Sequence, residues 1–323
     1  MQALGLRNKA YPNCRYICFR KTSVMLSICI PVYNYNVRSL VKSLHDQAVI
    51  LGVPVEILVL DDCSESDYRN LNHDISEFEL VRYELLNQNA GRSRIRNLMA
   101  AKARYQWLII MDCDSATPDD LFLKRYLEET SGDALVCGGR IYTNKPVAGN
   151  TTLHWRYGTM REVKNVAQRS QHPHRWFMTN NFMVQKSVMK QIPFNENIKG
   201  YGHEDTLFGY ELKEKGIRVK HIENPLVHIG LQSNTEFLAK SREGVQNLAF
   251  INNYLDQGHD LGKMVRLLAW YKALKRLKMC GVFAFFFGLF KYPVEKNLLG
   301  KTPFLYLFDI YKLGYFCQNR HQT

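Results

Sequence analysis

The sequence lacks the features that mark several large classes of protein. It has eight cysteines but no Cys-x-x-Cys pair, which at this length argues against a disulfide framework and for a reducing compartment. Its first residues contain no apolar segment of about 7–15 residues, as a secretory signal would require. Neither a phosphate-binding Gly-x-x-x-x-Gly-Lys-Ser/Thr loop nor a Gly-x-Gly-x-x-Gly turn occurs, which disfavours P-loop kinases and dinucleotide-dependent dehydrogenases. We therefore expect a cytoplasmic chain.

The middle of the chain has no net charge, and the net positive charge lies at its ends. The formal net charge is +13, yet residues 26–259 hold 27 basic and 27 acidic side chains. Residues 1–25 hold five lysines and arginines and no acid, and residues 260–323 hold eleven against three acids. A nucleic-acid enzyme would carry this charge across its active face, so we expect no nucleic-acid partner. Basic ends instead favour an anionic membrane surface as a partner, at the inner face of the membrane.

Apolar runs of strand type alternate with segments of helical spacing. Strands are predicted at residues 26–32, 55–60, 107–111, 134–138 and 217–222, and helices at 39–51, 89–103, 119–129 and 204–215. This alternation predicts an α/β fold with a doubly wound, mostly parallel sheet of the Rossmann-like kind. We expect residues 1–24 to form a flexible arm, 25–232 the main domain with halves at 25–140 and 141–232, and 233–323 a helical C-terminal region.

Polar residues follow the carboxyl ends of three predicted strands. Asn34, Asp62 and Asp112 each lie just beyond a strand, where open α/β sheets bind ligands. In Asp112-Cys113-Asp114, alternate carboxylates could hold Mg²⁺ or Mn²⁺, hard cations that prefer carboxylate and phosphate oxygens. Turn and helix-cap roles are the ordinary alternative for such aspartates.

The helix after this pair is predicted to have its own start. Thr117 is placed as the N-cap and Pro118 at the first helical position. Because Asp112 and Asp114 would then be unnecessary for starting the helix, this assignment favours the metal site.

Two further segments carry candidate ligand-binding residues. Asp61-Asp62 fits equally an Asx-turn with Ser64 and a carboxylate that accepts from a base or ribose. Residues 89–97 open a helix with three arginines at alternate positions, which cannot share one helix face. We expect at least one arginine to point to solvent and one to meet a diphosphate.

A pair of carboxylates, Glu204 and Asp205, follows a glycine-rich loop at a helix start. Such a pair can simply complement the helix dipole. His228 follows a later strand, and its neutral imidazole could complete an oxygen-dominated metal site.

Taken together these segments resemble glycosyltransferase family 2, inverting enzymes of the GT-A fold, over about residues 26–230. The matching segments are Ile30-Pro-Val-Tyr-Asn34, Leu60-Asp-Asp-Cys-Ser64, Asn89-x-Gly-x-x-x-x-Arg-Asn97, Met111-Asp-Cys-Asp-Ser115 and Gly202-His-Glu-Asp205. The resemblance implies transfer of a sugar from a nucleoside-diphosphate sugar, usually a UDP-sugar, to a hydroxyl of a glycan or lipid-linked acceptor. It also implies dependence on Mn²⁺ or Mg²⁺.

The resemblance further assigns roles to individual residues. Asp205 would be the general base, with Glu204 supporting the acceptor or the base. Asp114, with Asp112, would bind the divalent ion, and His228 would be its third ligand. The donor-binding residues would be Pro31, Tyr33, Asn34, Asp62, Arg92, Arg96 and Asp112, of which Tyr33 and Asp62 hold the base.

Two alternatives stay open on the sequence alone. One is a nucleotide-sugar-binding protein without catalysis. The other is a sugar nucleotidyltransferase, which shares a similar sheet but calls for a glycine-rich basic loop after the first strand. Here that position holds Pro31-Val-Tyr-Asn34.

The C-terminal region combines basic and apolar character. Residues 261–278 show apolar residues at helical spacing with a basic side, and residues 279–290 are very apolar and rich in phenylalanine. At about 12 residues this run is short of the roughly 20 needed to cross a bilayer. The region therefore fits an interfacial anchor or a helical subdomain packed on the main domain, equally well.

Overall fold

The computed structural model describes residues 24–143, 149–255 and 261–318. Its strands are β1 (Leu26–Val32), β2 (Val55–Asp61), β3 (Val81–Leu85), β4 (Trp107–Met111), β5 (Ser115–Ala116), β6 (Leu135–Cys137), β7 (Arg140–Tyr142), β8 (Asn181–Gln185), β9 (Lys220–His221) and β10 (Leu226–His228). Its α-helices are α1 (Arg38–Leu51), α2 (Ser66–Asn72), α3 (Arg92–Lys102), α4 (Phe122–Glu128), α5 (Thr152–Tyr157), α6 (Val166–Gln171), α7 (Lys186–Gln191), α8 (Glu204–Glu214), α9 (Asn234–Tyr254), α10 (Arg266–Arg276), α11 (Cys280–Leu298) and α12 (Leu305–Gln318).

Seven strands form the main sheet, in the order β3-β2-β1-β4-β8-β6-β9. The first four run parallel, whereas β8 is antiparallel to both β4 and β6. Apolar side chains alternate between the faces: Ile28 and Ile109 pack with α1 and α4, and Cys29 and Ile110 with α3, α7 and α8. Burial on both faces explains the continuous apolar runs of the central strands. The predicted α/β class with a doubly wound, mostly parallel sheet is confirmed.

A smaller sheet of three strands, in the order β5-β10-β7, lies beyond the end of β4. In it His228 is opposite Ser115 of the antiparallel β5 and Tyr142 of the parallel β7. Because β5 begins directly after Asp112-Cys113-Asp114, this pairing brings the end of β10 beside the predicted metal site.

The predicted start of the helix after Asp114 was wrong. Helix α4 begins at Phe122, with Leu121 as an N-cap residue that makes no side-chain capping bond. The Thr117 hydroxyl instead shares a hydrogen bond of 2.6 Å with the hydroxyl of Ser43, and Asp119 accepts from the Leu121 backbone. A turn built by Asp119 therefore delays the helix, and the separate cap no longer argues for a metal at Asp112 and Asp114.

The helices after residue 232 pack against the main domain. Phe237 of α9 and Phe308 of α12 share a buried cluster with Leu153 of α5, and Val245 of α9 joins a second cluster with Leu207 of α8. This is the packed-subdomain alternative of the sequence analysis. The predicted arm, residues 1–24, lies outside the described residues apart from Val24.

Helices α10 and α11 leave part of their apolar surface exposed. Within the described ranges no single helix is long and apolar enough to cross a membrane. The pair α10 and α11, bent by 117°, has the length and composition of a span only when both are counted together.

Candidate active site

Asp114 and His228 form the first part of the site, and the backbone holds them together. The backbone N–H groups of Ile229 and Gly230 donate to the Asp114 carbonyl at 3.0 and 3.2 Å. The side chains consequently meet, with Asp114 Oδ1 3.4 Å from His228 Nδ1. Burial raises the pKa of the Asp114 carboxyl, but His228 and Arg140 outweigh it and hold the pKa at about 2. Asp114 is therefore an ionised carboxylate beside an imidazole.

These two side chains fit a divalent cation. Asp114 Oδ1 and both ring nitrogens of His228 are buried and have no hydrogen-bond partner within the described ranges. Buried polar atoms are normally satisfied, so this orphaned set points to a missing partner. The described part of the chain contains no cluster of three or more potential ligands. Two protein ligands suit Mg²⁺ or Mn²⁺ in a site completed by phosphate oxygens and water.

Asp112 is held differently from Asp114. Its Oδ1 accepts from Arg96 at 3.0 Å and its Oδ2 from Arg140 at 3.3 Å. Both carboxylate oxygens thus face guanidinium groups, which leaves Asp114 the better placed of the two for a cation. The predicted role of Asp112 in donor binding stays a prediction.

The arginines of α3 connect the end of β4, where Asp112 lies, to the start of α8. Arg92 Nε donates to Glu204 Oε1 at 2.7 Å, and Arg96 Nη1 lies 3.5 Å from the same oxygen. Burial raises the pKa of Glu204, but Arg92 and Arg96 outweigh it and keep the pKa at about 2. Arg94 points away to the surface near Glu196, which confirms that the three arginines do not share one face.

Asp205 follows Glu204, and within the described part of the chain no arginine donates to its carboxylate. Its Oδ1 accepts from the Thr206 backbone at 2.6 Å and from the Thr206 hydroxyl at 3.3 Å. Burial and the neighbouring charge of Glu204 raise the pKa of Asp205 to about 6. A carboxyl group with a pKa near neutrality is suited to general-base work.

The other end of the cleft is formed where β1 and β2 end. Asp62 accepts from the backbone N–H groups of Ala90 and Gly91 at 2.5 and 3.0 Å. Asp61, in contrast, makes the local turn by accepting from the Ser64 backbone at 2.7 Å. The turn interpretation therefore applies to Asp61, whereas Asp62 bonds the backbone just before α3, and its contact with a base or ribose stays a prediction.

Three predicted donor-binding residues lie at the end of β1. Pro31 pairs with Leu60 of β2, and the Tyr33 side chain is 54% exposed just beyond the strand. Asn34 has a positive φ of 48° and exchanges hydrogen bonds with Glu65, which joins the ends of the two strands. Tyr33 is thus free to present its ring to a ligand at this edge.

Several residues of the site were missed by the sequence analysis. Arg140 Nη1 lies 3.3 Å from Glu162, whose carboxylate also accepts from the Tyr142 hydroxyl at 2.5 Å. The rings of Tyr142 and His154 pack on the His228 ring, with centroids 5.3 and 5.2 Å away. These residues form a layer beneath the proposed ligands. Only the aromatic richness after residue 140 hinted at it, because no local spacing links them.

Gly230 offers a test of the Asp114 position. A Cβ at residue 230 would come within 2.5 Å of the Asp114 Cβ, so one of the two must move. We expect Gly230→Ala to weaken Mn²⁺ binding about 10–100-fold, the usual cost of disturbing the support of a metal ligand. Calorimetric titration with Mn²⁺ measures this, with Gly149→Ala as the control because a Cβ there meets nothing within 4 Å. Equal affinity in the two variants would remove Asp114 from the metal site.

The fold and this site define the class of the protein. The mostly parallel α/β sheet, with aspartates just beyond the ends of β2 and β4, fits the GT-A fold that the sequence resemblance implies. A family model described as glycosyl transferase family 2 matches residues 27–196, more than half of the chain, so the protein belongs to this family. Membership sets aside the nucleotidyltransferase and non-catalytic alternatives.

Known proteins are similar to this chain in sequence and in structure. A chondroitin synthase of Pasteurella multocida is 25% identical over 243 residues, covering 64% of this chain and 25% of the relative. The chain thus spans about a quarter of that relative's length. A mannosyltransferase of Pyrobaculum calidifontis, solved with GDP-Man and Mn²⁺, has a TM-score of 0.57 at 13% identity, over 91% of this chain and 86% of that one.

A second solved structure has the same fold with a different nucleotide sugar. It is the glucosyl-3-phosphoglycerate synthase of Mycobacterium tuberculosis with Mn²⁺, UDP-glucose and phosphoglyceric acid. Its TM-score is 0.50 at 17% identity, over 74% of this chain and 83% of that one. At such identities the likeness of both structures shows the fold alone.

Proposed function

We propose that this glycosyltransferase uses a nucleoside-diphosphate sugar, a UDP-sugar, and transfers the sugar with inversion to a hydroxyl of a glycan or lipid-linked acceptor. The observation that carries the proposal is the pair of Asp114 and His228, in which Asp114 Oδ1 and both ring nitrogens of His228 are buried and have no hydrogen-bond partner among the described residues. A divalent ion, Mn²⁺ or Mg²⁺, bound there would neutralise the charge of the leaving diphosphate.

The residues of the chain divide the remaining work. Tyr33 and Asp62 hold the nucleoside, and Arg92 meets the diphosphate. Asp205 accepts the proton of the acceptor hydroxyl as that oxygen attacks the anomeric carbon. The bond from this carbon to the diphosphate breaks on the opposite face, and its electron pair leaves with the diphosphate. One displacement of this kind inverts the configuration.

Glu204 tunes the base rather than replacing it. Its own charge is fixed by Arg92 and Arg96, and that charge raises the pKa of the adjacent Asp205. Arg96 also bonds Asp112, so one buried cation links the donor end of the cleft to the helix that carries the base. This link fixes the position of Asp112, which would bind the donor, relative to Asp205, which would accept the proton of the acceptor.

The comparisons support the substrate classes of this proposal. Both solved structures hold a nucleotide sugar and Mn²⁺, one with GDP and one with UDP. The name of the Pasteurella relative supports a glycan acceptor.

A donor screen tests the proposal. A ligand at 100 times its Kd stabilises the folded state by about 2.7 kcal/mol, so the true donor should raise the Tm clearly. Thermal unfolding should be followed with a panel of UDP- and GDP-sugars, each with Mn²⁺ and with EDTA. The proposal predicts a metal-dependent shift for one or a few donors, and a panel without any shift would refute it.

We further propose that the protein binds an anionic membrane surface, at the inner face of the membrane, through an apolar face on α10 and α11. This apolar face consists of Trp270, Phe285, Phe286, Leu289 and Phe290, each more than half exposed. Beside it a groove of about 420 Å³ between α11 and α12 is lined by apolar side chains.

Basic residues lie between the two helices that carry this apolar face. Lys275, Arg276 and Lys278 are exposed where α10 ends. Aromatic side chains beside lysines and arginines suit the boundary between acyl chains and anionic headgroups.

Flotation with liposomes tests the membrane contact. The triple variant Phe285→Ser, Phe286→Ser and Phe290→Ser should lose most of its flotation with phosphatidylserine vesicles, because it removes much of the apolar area that would enter the membrane. Phe250→Ser, at an exposed phenylalanine of α9, is the matched control and should float like the unmodified chain. Equal flotation of both variants would exclude the apolar face as the contact.

A further inference from the structure

Helix α9 lies outside the residues that match the family model, yet one of its faces borders the active site. Lys240, Gly244 and Asn247 share this face, since they are spaced by four and three residues. The Asn247 side chain donates to the carbonyl oxygens of Tyr201 and Gly202 at 3.1 and 3.2 Å. The loop that carries Tyr201 is thereby fastened to α9.

Close backbone packing reinforces this attachment. Gly202 has a φ of +95°, and a Cβ there would lie 3.2 Å from the Cα of Gly244. The two glycines therefore let the loop and the helix approach more closely than larger residues would allow. The relative position of Lys240 and Tyr201 is consequently fixed by the fold.

Two cations converge on the Tyr201 ring. The Arg92 guanidinium carbon lies 5.2 Å from the ring centroid, and Lys240 Nζ lies 5.5 Å from it. Arg92 is paired with Glu204. Lys240 makes no ion pair with a carboxylate anywhere in the described ranges, although it is half-buried.

The acidic residues of α9 do not neutralise Lys240 by direct contact. Glu236 accepts from Ser233 in the capping box of the helix, and Glu243 accepts from the Tyr201 backbone. Burial and the charge of Arg92 lower the pKa of Lys240, while Asp114, Glu236 and Glu243 act in the opposite direction. Lys240 is thus a half-buried cation that shares the Tyr201 ring with a second cation, Arg92.

We propose that Lys240 binds the diphosphate of the donor, opposite Arg92 and beside the cation held by Asp114 and His228. This inference rests on the proposed function. An anion bound by both Lys240 and Arg92 would relieve their mutual repulsion, and a lysine ammonium is a common phosphate ligand. The C-terminal region therefore contributes a donor-binding residue that stabilises the leaving group.

Binding of UDP and of uridine to the full chain with Mn²⁺ tests this assignment. Lys240→Met should weaken UDP binding about 10–100-fold, the usual contribution of a charged hydrogen bond. Uridine affinity should be unchanged, because uridine has no phosphate. Lys240→Arg should retain most of the UDP affinity. Lys213→Met, which removes an exposed lysine of α8, should behave like the unmodified chain.

Each other outcome contradicts the assignment. If Lys240→Met binds UDP normally, or loses uridine and UDP affinity equally, Lys240 does not bind the diphosphate. If only the KM for the acceptor rises, the lysine belongs to the acceptor site. Failure of the proposed function is distinct, because then the unmodified chain would bind no nucleoside diphosphate, GDP included.

Discussion

Replacing Asp205 by asparagine should lower kcat about 10²–10⁴-fold while leaving the donor Kd within about threefold, because the carboxamide keeps the shape but cannot accept a proton. The geometry supports this separation, since the Asp205 carboxylate is bonded to Thr206, whereas the proposed metal ligands are Asp114 and His228. Initial rates and calorimetric donor titrations measure the two quantities. Asp67→Asn, an exposed aspartate in the first turn of α2, is the matched control. Near-normal turnover in Asp205→Asn would exclude it as the base.

The pH dependence of the reaction is a second, independent test of Asp205 as the general base. Asp205 must be deprotonated to act as a base, and its pKa is about 6. We therefore expect kcat/KM to fall about tenfold per pH unit below that pKa and to level off above it. In Glu204→Gln the neighbouring negative charge that raises the pKa is absent, so the rising limb should move to lower pH. A profile that is flat between pH 4.5 and 8 would contradict this role.

Replacing Asp114 by asparagine should abolish Mn²⁺ binding and lower the transfer rate about 10³-fold. The ionised carboxylate is the one anionic protein ligand in the proposed site, and loss of about 4 kcal/mol of charge stabilisation corresponds to that factor. Metal titration by calorimetry and initial rates at saturating Mn²⁺ measure both effects. Asp120→Asn, at an exposed aspartate of the following turn, should change neither. Full metal affinity in Asp114→Asn would move the metal elsewhere.

Asp112→Asn separates the metal role from the structural one. Arg96 is 2% exposed and Arg140 is 11% exposed, and each pairs with Asp112 and with a second carboxylate, that of Glu204 or Glu162. Removing one partner of a buried ion pair costs up to about 3–5 kcal/mol, so Asp112→Asn, which breaks two such pairs, should lower the stability more than Asp114→Asn. Urea unfolding of the two variants checks this, and an equal loss of stability would show that the two carboxylates are held alike.

The sequence predicted the parts of the fold that repeat a local pattern. The continuous apolar runs predicted β1, β2 and β4, because these strands are buried on both faces of the sheet. The helical spacing of apolar residues predicted α1, because that helix is buried on one face. Strands β3 and β8 were not predicted. Strand β3 lies at the sheet edge with half-buried side chains, and β8 is a short strand inserted antiparallel between β4 and β6.

The division of labour within the site could not be predicted from spacing. Asp112 and Asp114 look equivalent in sequence, and only Arg96 of α3 and Arg140 of β7 distinguish them. His228 approaches Asp114 through the pairing of β10 with β5, strands far apart in the chain. A ligand-binding role for Lys240 was not predicted, because the local sequence pattern of α9 indicates only a packed helix.

The most direct test of the central claim is the transfer reaction itself. The protein should be incubated with the donor found in the screen and a set of oligosaccharide acceptors, with Mn²⁺ or with EDTA. The anomeric configuration of the product is then determined by NMR. We predict transfer that requires the metal and gives a product whose anomeric configuration is opposite to that of the donor. Transfer with retained configuration, or transfer at the same rate in EDTA, would contradict the account.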